Sequence, residues 1–135
     1  MDGTALKVFF ILATAQIVFF SSPAIAKYDV VIVNFLGENM TLNLHCQSKD
    51  DDLGVHDLPY TDVFEWRFDV NIWRTTLFYC DMGSGDLKGR FDIFVAKRDL
   101  NRCGNDKCIW HVMRDGLYLY LKSADNYVHQ FDWPK

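Results

Sequence analysis

The chain has 135 residues, 50% of them hydrophobic and 16% aromatic, and carries a net charge of −4. That length suits a single domain. Its longest basic run is Lys97-Arg98, so it lacks the clustered cations that phosphate backbones and anionic lipid surfaces require, and neither nucleic acid nor stable membrane association is expected.

In chain order the first element is a leader. Val8–Phe20 is an apolar run behind a weak basic region at Lys7, Ser21-Ser22-Pro23 break it, and Ala24-Ile25-Ala26 supplies a small-x-small cleavage pattern. The run is short for a span, which needs about 20 apolar residues. Residues 1–26 are therefore read as a cleaved secretory signal and 27–135 as one mature domain.

Beyond it, period-two alternation bounded by Gly, Asn and Asp gives a succession of strands. Tyr28–Phe35 is apolar on both parities and is expected at the centre of a sheet. Met40–Cys46 points Leu42, Leu44 and Cys46 one way. Ser48–Pro59 reads as a polar loop, and Val63–Asp69 turns Phe64, Trp66 and Phe68 inward. Thr75–Cys80 follows, then a Gly-rich loop over Met82–Gly89, then Phe91–Lys97 with Phe91, Ile93 and Val95 on one face. Cys108–Met113, Leu117–Lys122 and Tyr127–Trp133 complete the set, with Asp115-Gly116 the strongest hairpin signal. About eight short strands predict an all-β, two-sheet antiparallel β-sandwich with four strands per sheet.

All four cysteines, Cys46, Cys80, Cys103 and Cys108, lie in the mature part. An even number behind a leader implies two disulfides, and no C-x2-C pair suggests zinc. Parity places Cys46 and Cys108 in the core and favours Cys46–Cys108 with Cys80–Cys103. The main competitor is Cys103–Cys108 with Cys46–Cys80, and the sequence excludes none of the three pairings.

At this point the residues resemble a known family. Val31-Ile32-Val33-Asn34-Phe35-Leu36, the stretch from Leu44-His45-Cys46-Gln47-Ser48-Lys49 through Asp50-Asp51-Asp52-Leu53-Gly54, Trp66-Arg67-Phe68, Thr76-Leu77-Phe78-Tyr79-Cys80, Phe91-Asp92-Ile93-Phe94 and Cys103…Cys108-Ile109-Trp110 are similar to plant self-incompatibility proteins. The likeness covers essentially the whole mature chain. It implies a two-sheet sandwich, two disulfides, secretion and no known catalysis. A few founding members are pistil signals that reject self pollen through a pollen-surface partner; most homologues have no assigned role, so fold and compartment follow more firmly than biology.

The candidate sites each have a plainer reading. Asp50-Asp51-Asp52 has the chemistry of a Ca²⁺ site but lacks an EF-hand pattern; a turn whose carboxylates accept backbone N–H bonds accounts for it better, and no metal or cofactor is expected. Four histidines raise a secreted hydrolase, yet no local motif joins His45, His56, His111 or His129 to a nucleophile. Asn39-Met40-Thr41 is an N-glycosylation sequon on a turn, with Asn39 as acceptor. Tyr118 and Tyr120 fall opposite Leu117, Leu119 and Leu121, which offers an exposed aromatic platform for a sugar; burial under a second layer is the plainer alternative. Asn101, Arg102, Gly104, Asn105, Asp106 and Lys107, tethered by Cys103 and Cys108, are expected to form the recognition loop.

The expected activity is that of a non-enzymatic signalling ligand in plant cell–cell communication. It would act as a monomer on a cell-surface receptor or other surface protein, in self-incompatibility or another role. A carbohydrate-binding apoplastic module is the alternative, and a small hydrolase a remote one.

Overall fold

The computed structural model describes residues 24–135. Most of the expected leader, residues 1–23, lies outside the described residues. Nine strands form: β1 (Ala24–Asn34), β2 (Leu42–Gln47), β3 (Asp52–Leu58), β4 (Val63–Asn71), β5 (Leu77–Ser84), β6 (Leu87–Val95), β7 (Lys107–Met113), β8 (Gly116–Leu121) and β9 (Asn126–Phe131). One helical turn, α1 (Ala96–Asp99), and a 3-10 turn (Gly104–Asp106) separate β6 from β7.

The strands divide into a five-stranded sheet, ordered β4-β1-β7-β8-β9, and a four-stranded sheet, ordered β3-β2-β5-β6. All pairings are antiparallel except β1 with β7. The doubly apolar segment at Tyr28 is thus a central strand, as its composition predicts. Inward residues from both sheets make one core, in which Val30, Ile32, Leu42, Leu44, Trp110, Leu117 and Leu119 are completely buried. Tyr28, Trp66, Phe68, Phe78 and Phe94 add a cluster of tilted and edge-on rings, the geometry that aromatic quadrupoles favour.

Three expectations are corrected. The sandwich has nine strands, because Asp52–Leu58 is an edge strand paired with β2 rather than part of a loop. Its polar composition reflects one solvent face at a sheet edge. The Gly-rich Met82–Gly89 segment is likewise paired nearly throughout; only Gly85-Asp86 turn, between Ser84 and Leu87, with Gly85 at φ 56°. Finally, the disulfides are Cys46–Cys80 and Cys103–Cys108, not Cys46–Cys108 with Cys80–Cys103. Parity correctly sends Cys46 and Cys108 inward, for both are fully buried, but they belong to different sheets. Cys46 instead lies directly opposite Cys80 on the neighbouring strand β5.

Two turns depend on glycine. The Met113–Gly116 hairpin forms where Asp115-Gly116 predicts it, around Arg114 and Asp115. Gly116 has φ 150°, and a Cβ there would approach the Phe131 carbonyl oxygen to 2.1 Å. At Gly37, φ 138°, a Cβ would meet the Arg114 guanidinium at 2.7 Å, while Arg114 Nε donates to Leu36 O.

Candidate functional site

The segment that enters β7 is built on a buried carboxylate. Asp99, at the end of α1, is completely buried. Its Oδ1 accepts from Arg98 Nε at 2.9 Å and from Arg102 Nε and Nη2 at 3.0 and 2.8 Å; its Oδ2 accepts from Arg98 Nη2 and the Val95 amide, both at 2.8 Å. Five charge-assisted or backbone donors thus compensate a desolvated anion, the condition under which such burial is tolerated. Arg102 also donates to Gln130 Oε1 at 2.9 Å, and its carbonyl accepts from the Lys122 amide at 3.2 Å. The Tyr28 hydroxyl donates to Leu100 O at 3.0 Å. Burial, and secondarily the charge of Asp106, raises the Tyr28 pKa, so that hydroxyl stays a donor.

On this anchor sits the Cys103–Cys108 ring. Asn105 and Asp106 both take left-handed conformations, φ 55° and 57°, which Asn and Asp tolerate better than other side chains. Asn101, Asn105, Asp106 and Lys107 are exposed, and Lys107 Nζ lies 3.6 Å from Glu65 Oε2. Of the expected recognition residues these four project outward. Gly104 rests beside Lys122. Arg102 does not belong with the outward set, because Asp99 and Gln130 already hold its guanidinium. The sequence reading missed Asp99; its only trace there is a carboxylate with Arg at positions −1 and +3.

The remaining candidates are dispersed. Asn39 is exposed in a turn at φ 63°. The turn is pinned from below by buried Asn34, whose Nδ2 donates to Met40 O and Leu58 O, both at 2.8 Å. Asp52 accepts from the Gly54 amide at 2.9 Å and from His45 Nε2 at 2.6 Å; these bonds hold its carboxyl below the usual range, the Gly54 amide having the larger effect. The Ser48 hydroxyl accepts from the Asp51 amide. Within the Asp50–Asp52 run it is thus the Asp52 carboxylate that accepts a backbone N–H, while Asp51 contributes its amide. Two histidines do reach carboxylates that local motifs did not reveal, His45 with Asp52 and His129 with Asp132 at 2.9 Å. His56 meets Leu53 O instead.

Tyr118 and Tyr120 lie on the outer face of the five-stranded sheet, each half-buried and each donating to a nearby carboxylate, Asp115 and Asp125 respectively. Rings continue across that face from Tyr60 through Phe35 and His111 to Tyr127 and Tyr120. Of the tryptophans, Trp110 and Trp133 are buried and Trp66 packs on the core, but Trp73 stands at the β4–β5 turn, 73% exposed.

Residues 29–133 match the family model for plant self-incompatibility protein S1. Among Arabidopsis thaliana proteins, S-protein homolog 24 is 40% identical over 95 residues, covering 70% of this chain and 62% of that protein. S-protein homolog 27 is 42% identical with the same coverage. S-protein homolog 1 is 36% identical over 114 residues, 82% of this chain and 74% of the homolog. The first two alignments therefore span less than two-thirds of those relatives' lengths. A solved structure of SPH (self-incompatibility protein homologue) proteins, described as small, highly stable, secreted proteins from plants, superposes with a TM-score of 0.56 at 18% identity. It covers 81% of this chain and 91% of the other, which establishes a shared fold.

Proposed function

The chain belongs to the plant self-incompatibility protein S1 family, and from that premise we propose that it is a secreted, non-enzymatic protein ligand that engages a surface protein on a target cell. The observation that carries the reading is the Cys103–Cys108 ring, a polar loop closed by sulfur and held at its base by a fully buried carboxylate. Asn101, Asn105, Asp106 and Lys107 stand outside the core, so they can change without unfolding the domain, while the ring limits the entropy lost on binding. Secretion is supported by the bridging of all four cysteines, since disulfides persist in oxidising compartments, and by the description of the structurally similar SPH proteins as secreted.

The test combines Asn101→Ala, Asn105→Gly, Asp106→Asn and Lys107→Thr, keeping both disulfides and Arg102. Glycine at 105 and asparagine at 106 respect the left-handed backbone. The purified variant is expected to melt like the parent but to lose saturable binding to cells that bind the parent. Unchanged binding by the folded variant sinks the assignment to this loop.

A further inference from the structure

The outer face of the four-stranded sheet carries a groove of about 790 Å³, a volume within the usual range for small-ligand sites. Its construction follows from strand register. Asp57, Asn43, Gly83 and Lys88 stand side by side across β3, β2, β5 and β6. In the next row on that face, Asp81 pairs with Arg90. Gly83 has no side chain, so the row is notched at its third position, and the Leu87 carbonyl oxygen, 3.1 Å from where a Cβ would stand, bounds the notch as an acceptor. Neighbouring strands lie about 4.8 Å apart, which sets Asn43 and Lys88 roughly 9.6 Å apart across the notch. That width suits one pyranose ring with its hydroxyls.

The walls are already ordered. Asn43 Nδ2 donates to Asp57 Oδ1 at 2.7 Å. Arg90 forks onto Asp81 through Nε at 2.8 Å and Nη2 at 3.0 Å, with its guanidinium over the Tyr79 ring at 4.7 Å. Each carboxylate keeps unused lone pairs after these bonds, because two oxygens offer about four acceptor sites. Lys88 takes part in none of the ion pairs among the described residues and retains its donors. Asp57 and Asp81 balance Lys88 and Arg90, leaving the lining without net charge. A peptide strand would find little here, since the backbones of β2 and β5 are already paired on both sides.

We propose that this groove binds a neutral saccharide unit, with Asp57, Asn43 and Lys88 taking vicinal hydroxyls beside the Gly83 notch and the Arg90–Asp81 pair closing one end. Vicinal hydroxyls are paired donors and acceptors and so meet planar carboxylate and amide groups two at a time. The walls are pre-ordered by their own hydrogen bonds, so little side-chain freedom is lost on binding. The site lies apart from the Cys103–Cys108 loop and does not depend on it.

The test is calorimetric titration of the purified secreted protein with neutral β-linked tetrasaccharides of glucose, xylose, mannose and galactose, alongside an oligogalacturonide. At least one neutral oligosaccharide is expected to bind, with affinity reduced tenfold or more by Asp57→Asn and by Asn43→Ala at an unchanged melting temperature. Should Asn43→Ala fail to fold, Lys88→Ala serves in its place. Tyr120→Ala, on the opposite face, is expected to leave binding unaltered. The proposal is overturned by binding to none of the neutral sugars, by binding to the galacturonide alone, or by a loss that follows Tyr120 instead of Asp57.

Discussion

Asp99 and Trp110 set opposite problems at the scale of a single residue. Asp99 is a buried anion with every neighbour arranged to satisfy it; removing it leaves two half-buried guanidiniums facing a void. Asp99→Ala is therefore expected to destabilise by about 3–5 kcal/mol, as for other broken buried pairs, read from the shift in denaturant midpoint. The exposed Lys107–Glu65 pair provides the contrast: Glu65→Gln should change stability by less than about 1 kcal/mol, because solvent screens it. Trp110 is fully buried, yet its indole nitrogen has no hydrogen-bond partner among the described residues. Trp110→Ala is expected to cost about 3–5 kcal/mol through lost transfer energy and cavity. Trp110→Phe should cost distinctly less than its lost volume suggests, since an unpaired buried N–H is removed with the ring. A cost for Trp110→Phe in full proportion to the volume removed, scaled from Trp110→Ala, would show that the indole nitrogen carries no penalty.

At the scale of the element, alternation gave most strands but could not see what a partner strand does. Phe91, Ile93 and Val95 were expected on one face of β6. A register shift between Phe78–Phe94 and Tyr79–Asp92 inserts an extra residue, so Ile93 and Phe94 are both fully buried and Val95 is only partly so. β3 carries no alternation for a related reason: an edge strand buries little, so its sequence is as polar as a loop. The cysteine pairing depended on register as well, because parity reports a face and not a neighbour. The groove was beyond reach of local pattern, since Asp57, Asn43, Gly83 and Lys88 meet only through three strand pairings. On the other sheet, His111 stacks on Tyr127 at 3.6 Å and meets the edge of Phe35 at 4.6 Å. Its desolvation lowers its pKa from the ordinary 6.5. The unfolded chain then binds the proton more readily than the native one, so stability is complete above about pH 6.5 and falls as the pH drops toward the depressed native value. His111→Phe is expected to flatten this part of the pH–stability curve. The Asp81 carboxylate is held below its ordinary 3.8 chiefly by Arg90, and Asp52 is also depressed, so their stabilisation is lost only on acidification through and below that range. An unaltered slope near pH 6 in His111→Phe would place the titration elsewhere.

For the whole molecule, the two bridges are unequal in what they constrain. Cys46–Cys80 joins β2 to β5 across a sequence separation of 34, through the centre of the four-stranded sheet. Cys103–Cys108 spans a separation of 5 and closes a surface ring. In the chain-entropy account, closing the longer loop stabilises by about 4 kcal/mol and the shorter by about 2 kcal/mol. Packing widens the gap, because Cys46 and Cys80 are both fully buried between the sheets, and truncation there also leaves a cavity. A domain of this size has a total stability of about 5–15 kcal/mol, so the first loss removes a large share of the reserve and the second a much smaller one. The paired substitution Cys46→Ala with Cys80→Ala is therefore expected to lower the denaturant midpoint sharply and to reduce secreted yield. Cys103→Ala with Cys108→Ala should still yield folded protein with the core intact, because Asp99, Arg102 and Gln130 hold the base of the loop without sulfur. The second variant should nevertheless bind target cells more weakly, since its loop must then be ordered by the partner. If it kept full affinity at reduced stability, the ring would be a structural staple alone, and recognition would belong to another surface of the sandwich.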